Sequence, residues 1–189
     1  MPLFTRADST KGKTAMPFRG MRGLSSSERE NRMAQETERK FLVKDDAWRV
    51  GNPSGLFYRQ GYLSRVKERV VRVRTAGQKG FLTVKGITRG ISRAEYEYEI
   101  PLEDANHMLE HLCQRPLIEK MRFRIPFEGM TWEVDEFLGE NLGLVLAEIE
   151  LSDEGQEVIL PSWVGEEVSG DPRYYNVNLV KHPFCRWGR

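Results

Sequence analysis

The chain has 189 residues, with 29 Lys or Arg against 28 Asp or Glu and a formal net charge of +1. That length fits about one domain. The near-neutral balance speaks against a general nucleic-acid binder, and no run of about 18 apolar residues is present to cross a membrane. Cys113 and Cys185 lie far apart with no disulfide or zinc pattern, which fits a reducing, cytoplasmic setting.

Residues 1–33 carry seven basic and three acidic side chains, whereas the remainder is net acidic at −3. With Pro2, Pro17, three glycines and the run Ser25–Ser27, the segment reads as a flexible basic extension to a domain spanning 34–189. Its Arg and Ser content has some transit-peptide character without a secretory apolar region, and Met33 is an alternative start.

From Gln35 the apolar period is two. Strands are expected at 36–43, 56–64, 68–75, 80–85, 93–100, 118–126, 130–137 and 144–151, with turn signals such as Gly77-Gln78-Lys79-Gly80 and Phe127-Glu128-Gly129 between several of them. Residues 45–50 suggest one short helical turn. Ala105, Met108, Leu109 and Leu112 recur at helical spacing and predict an amphipathic helix over 103–113. Helical turns are expected near 164–168 and 174–181. The fold class is therefore mainly β, a large antiparallel sheet of about eight strands that can close into a barrel, with a few outer helices.

Residues of one parity share a face of a strand. Glu36, Glu38 and Lys40 lie together, as do Arg72 and Arg74, Thr83 and Lys85, Lys120, Arg122 and Arg124, Glu133 and Asp135, and Glu148 and Glu150. Any one of these strands could be an ordinary half-solvated strand. Together they build a face almost wholly of Arg, Lys, Glu and Asp, which on closure becomes a hydrophilic tunnel. The apolar face then turns outward, to be covered by helices or by a second copy in a homodimer. Clustered Arg and Lys suit phosphate oxygens, and clustered carboxylates without His or Cys suit hard cations such as Mg²⁺ or Mn²⁺. The combination points to phosphoryl transfer from a polyanion. A binding module or a plain charged sheet is also consistent with parity alone.

The ordered segments Glu36-Thr37-Glu38-Arg39-Lys40, Gln60-Gly61-Tyr62-Leu63, Val71-Arg72-Val73-Arg74, Leu82-Thr83-Val84-Lys85-Gly86, Glu95-Tyr96-Glu97, Glu119-Lys120-Met121-Arg122, Trp132-Glu133-Val134-Asp135-Glu136-Phe137, Glu148-Ile149-Glu150 and Tyr174-Tyr175-Asn176 resemble the CYTH, or triphosphate tunnel metalloenzyme, superfamily. They are most similar to its compact bacterial tripolyphosphatase-like members. The resemblance implies an eight-stranded tunnel that hydrolyses a small-molecule triphosphate or polyphosphate with a divalent metal. By this resemblance Glu36, Glu38, Glu148 and Glu150 hold metal, with Asp135 a further candidate. Lys40, Arg72, Arg74, Lys85, Lys120 and Arg122 grip phosphate, joined by Arg93 and Arg124. Tyr62 reaches the tunnel near Lys40, and Glu95, Glu97 and Glu133 support the cations. A class IV adenylate cyclase and a non-catalytic polyphosphate or nucleotide binder are the rival readings. His107 and His111 read as solvent-facing residues of the helix, and Trp132 as an outward packing residue.

Overall fold

A computed structural model describes residues 35–188; the basic extension assigned to 1–33 lies outside them. The strands are β1 (Gln35–Val43), β2 (Leu56–Val66), β3 (Arg69–Ala76), β4 (Lys79–Lys85), β5 (Ser92–Ile100), β6 (Ile118–Phe127), β7 (Met130–Phe137), β8 (Val145–Glu150) and β9 (Val164–Glu167). Their order is β5-β4-β3-β2-β6-β7-β8-β1-β9, and β1 also pairs with β5, so eight strands close into a ring with β9 added alongside β1. Every pairing is antiparallel.

Register is what turns the charged parity into a lumen, because a one-residue slip would reverse every side chain of a strand. Glu36 lies opposite Arg93, Glu38 opposite Glu150 and Lys40 opposite Glu148. Tyr62 faces Arg72, Lys85 faces Glu95, Arg122 faces Asp135, and Glu133 faces Glu148. Seam by seam, the residues expected on one face meet one another.

Much of the outward apolar face is covered by elements of the same chain, while Phe57, Tyr96 and Tyr98 remain exposed. Trp132 is fully buried in a cluster with Phe41, Ile149 and Trp163, its ring 5.5 Å from Phe41 and 5.7 Å from Trp163. Trp48, on the short 3₁₀ turn Asp46–Arg49, joins the same cluster. Helix α1 (Leu102–His111) buries Ala105 and Leu109 against Val73, Leu82 and Ile100. Two glycines let it approach. A Cβ at Gly80 would stand 2.7 Å from that of Ala105, and one at Gly61 2.7 Å from that of Cys113, so neither position accepts a larger residue without displacing the helix or the loop after it. This gives a packing reason for the glycine in Gln60-Gly61-Tyr62.

Two expectations change. Residues Val164–Glu167, expected as a helical turn, form β9 and pair with Phe41 and Val43; a four-residue strand with Gly165 in it carries little pattern of its own. The tunnel face is also not charged throughout. On several strands the inward parity runs on into Leu42, Ile118, Phe137 and Leu146. There Tyr174, Leu179 and Val180, from the segment containing the short helix α2 (Asn176–Leu179), pack in to form an apolar floor.

Candidate active site

Lumen strands bring the expected charged residues together as ion pairs. Lys40 Nζ meets Glu148 directly and lies 3.8 Å from Glu38. Arg93 bonds Glu36 at 2.5 Å and lies 3.5 Å from Glu38. Lys85 sits between Glu36 (3.1 Å) and Glu95 (2.6 Å). Arg72 reaches Glu97 (3.2 Å) and Glu95 (3.4 Å) and donates to Thr83 Oγ1 (3.2 Å), while Arg74 donates to Glu97 at 2.8 Å. Arg122 is the most connected: it bonds both oxygens of Asp135 at 2.6 Å and Glu148 at 2.6 Å, and also contacts Glu133. Arg124 stands at the rim, 3.7 Å from Glu133, with 71% of its side chain exposed.

Asp135 has no exposed surface and is held by Lys120 and Arg122. Both of its oxygens are thereby engaged by cations of the wall. Tyr62 is buried, accepts a hydrogen bond from Gln60 Nε2 (3.2 Å), and has its hydroxyl pushed up to about 12, by burial first.

These pairs polarise the site. Burial alone would raise Glu36, yet its hydrogen bond with Glu95 and the charges of Lys85, Arg93 and Arg72 hold it well below the usual carboxylate range. Glu148 is likewise lowered against burial by Lys40, Arg122 and Lys120. Glu95 goes the other way, to about 7, through burial and its contact with Glu36. Burial and the neighbouring Arg122 bring Lys120 down to about 8. Glu150 is raised by burial and then by three carboxylates, Glu36, Glu133 and Glu38. Among the described residues no three His, Cys, Asp or Glu converge into a ready-made metal centre. The cations hold several of the carboxylates against the walls.

The lumen holds two adjoining lobes of about 750 and 850 Å³. Glu36, Glu38, Arg72, Lys85, Arg93 and Asn176 line both. Asn176, in the Tyr174-Tyr175-Asn176 segment of the resemblance but given no role by it, begins α2, and its Oδ1 is buried without a hydrogen-bond partner among the described residues. Tyr58 and Gln60, on the parity of Tyr62, are further inward residues that a search for charge alone passes over; Tyr58 lies under the guanidinium groups of Arg74 and Arg122. His107 and His111 lie on α1, outside both lobes.

Comparison with known proteins gives a consistent picture. The profile of the CYTH domain matches residues 34–180. An inorganic triphosphatase of Acetivibrio thermocellus is 58% identical over 152 residues, covering 80% of this chain and 97% of that protein. One from Nitrosomonas europaea is 37% identical over 150 residues, covering 77% and 96%. A crystallised inorganic triphosphatase superposes with a TM-score of 0.57 at 34% identity, over 77% of this chain and 93% of the other.

Proposed function

The chain belongs to the CYTH domain family, and from that premise we propose that it is an inorganic triphosphatase, a divalent-metal-dependent hydrolase that removes the terminal phosphate of tripolyphosphate inside the ring. The observation that carries this reading is the lumen's composition: above its apolar floor, Arg and Lys side chains are paired with Glu and Asp on the inner face of a closed wall. Such a wall is neutral only while its charges pair with each other. A metal–triphosphate complex offers both signs at once, so Arg and Lys can exchange carboxylate oxygens for phosphate oxygens as carboxylates turn to the cation.

The donor set suits a hard cation, since it is all carboxylate oxygen. Glu150 is raised by burial and then by repulsion from Glu36, Glu133 and Glu38, and a divalent ion would relieve that repulsion. Glu36, Glu38, Glu148 and Glu150 are the residues we assign to hold Mg²⁺ or Mn²⁺. When bound, such an ion polarises phosphoryl oxygens and acidifies water. Arg72, Arg74, Lys85, Lys120 and Arg122 grip the substrate, with Arg93 beside Glu36 and Arg124 at the rim. Their fixed positive charge stabilises the oxygens that gain charge as the terminal phosphoryl group transfers. Lys40 keeps Glu148 ionised and oriented, and Tyr62 closes the lumen toward its apolar floor. Asp135, Glu133, Glu95 and Glu97 position the cations. No helix among the described residues is long and apolar enough to cross a membrane. The free thiols of Cys113 and Cys185 accord with a cytoplasmic placement.

The test is phosphate release from tripolyphosphate, ATP, thiamine triphosphate and long-chain polyphosphate with each metal. Tripolyphosphate should give the highest kcat/KM. Cyclic AMP with pyrophosphate from ATP would instead identify a cyclase, and tight binding without release a sensor.

A further inference from the structure

The two lobes of the lumen differ in charge. The lobe bounded by β6–β8 is lined by seven basic side chains and seven carboxylates. The other, which opens beside α2, is lined by seven basic side chains and only two carboxylates, Glu36 and Glu38. A balanced lobe suits a phosphate group arriving with its metal. Lys40, Arg72, Lys85 and Arg93 are paired with lumen carboxylates. That leaves Arg65, Lys67 and Lys181 without a carboxylate partner among the described residues, and such an excess of about three positive charges favours an anion that brings no counterion of its own.

Part of that excess comes from an irregularity in β2. Tyr62 lies opposite Arg72 and Arg65 opposite Val70, so three steps on β2 span two on β3. A bulge of this kind re-aims a side chain. By strict alternation Arg65 would point away from the lumen; after the bulge it lies on the side of Tyr62 and lines the basic lobe. Its Nε donates to Gln114 Oε1, and it has no carboxylate partner among the described residues. Lys67, in the turn that follows, lines the same lobe and is likewise without a carboxylate partner among the described residues.

We propose that Arg65 and Lys67 form a subsite for the trailing phosphates of linear inorganic polyphosphates of four or more phosphoryl groups, whose leading end occupies the ion-paired lumen. The proposal rests on the triphosphatase reading and extends its substrate class. In the reaction the oxygen of water bonds to the terminal phosphorus. The bridging oxygen leaves with the shortened chain, and the proton of water passes to solvent. On this reading tripolyphosphate is held by the ion-paired lumen, so the subsite matters only for longer chains.

The experiment compares wild type with the double variant R65A/K67A and with K67A alone, which alters only an exposed turn residue. Phosphate release is measured from tripolyphosphate, tetrapolyphosphate and ATP, and tetrapolyphosphate affinity is measured by calorimetry in metal-free buffer. The double variant should raise KM for tetrapolyphosphate about tenfold, with K67A intermediate, while KM for tripolyphosphate stays within about twofold. ATP, with an uncharged nucleoside where a fourth phosphate would be, should follow tripolyphosphate. Equal shifts for tripolyphosphate and tetrapolyphosphate, an ATP shift as large as that for tetrapolyphosphate, or no shift for tetrapolyphosphate would overturn the subsite. If wild type releases phosphate from none of them, the triphosphatase reading fails. The calorimetric comparison then decides the subsite alone: affinity lost in the double variant retains it, and unchanged affinity removes it.

Discussion

Asp135 and Glu150 lie on neighbouring lumen strands, yet their surroundings give them different tasks. Asp135 is enclosed and bonded to Lys120 and Arg122. Removing its charge leaves two buried cations short of a partner, and breaking a buried pair in this way costs about 3–5 kcal/mol. Arg122 keeps Glu133 and Glu148, so Asp135→Asn should lose about 3 kcal/mol in a urea titration; a loss below about 1 kcal/mol would show that Asp135 does not hold the clamp together. Glu150 is raised instead, by burial and by its carboxylate neighbours. In metal-free protein, Glu150→Gln should therefore melt no lower than wild type. The same substitution removes a proposed metal oxygen, so the metal concentration for half-maximal phosphate release should rise by at least about tenfold, the scale on which even indirect partners of a metal act. A lower melting temperature together with unchanged metal demand would reverse the assignment.

At the level of elements, the C-terminal segment decides whether the tunnel has a floor. Leu179, on α2, is fully buried among Tyr62, Phe137 and Leu146. Leu179→Ala should cost about 2–5 kcal/mol through lost burial and the cavity left behind, read as a lower urea midpoint at unchanged slope. Gly61→Ala should also destabilise, by about 1–3 kcal/mol, because the added methyl overlaps Cys113 and Leu117; wild-type stability would mean that the loop after α1 yields freely. These elements mark the limit of what alternation reveals. The eight ring strands and their charged face were legible because each strand repeats its pattern over several residues and antiparallel register preserves parity across every seam. β9 was not, since four residues with a central glycine owe their strand form to the edge that β1 offers. Arg65 was missed because one bulge reverses parity, and a bulge leaves no period in the sequence. Leu42, Phe137 and Leu146 were on the correct parity, but a search for charge passes over the apolar end of the same face. Asn176 becomes a lumen residue only through the path of the tail.

Over the whole molecule, a neutral total conceals titrating groups that pull stability in opposite directions with pH. Glu36, Glu148 and Glu97 ionise more readily in the folded ring than the ordinary value of 4.5, with Arg and Lys partners outweighing burial. Their stabilising contribution is present above that value and is lost as pH falls through their lowered folded values. Glu95, moved up to about 7, and Glu150, also raised, behave oppositely. Between about 4.5 and 7 the unfolded chain has already released these protons while the folded ring retains them, so stability declines as pH rises through that window. Lys120, at about 8, stays charged throughout it. The melting temperature of metal-free protein should therefore be highest near pH 5, fall toward pH 7, and fall again in stronger acid. Glu95→Gln should flatten the decline between pH 5 and 7 and leave the acid limb in place. At pH 7, Mg²⁺ with tripolyphosphate should raise the wild-type melting temperature, because a ligand that binds only the folded ring stabilises it by mass action. A wild-type profile that is level from pH 5 to 7, or a decline that Glu95→Gln does not lessen, would mean that the lumen carboxylates are neutralised in some way other than by the cations that face them.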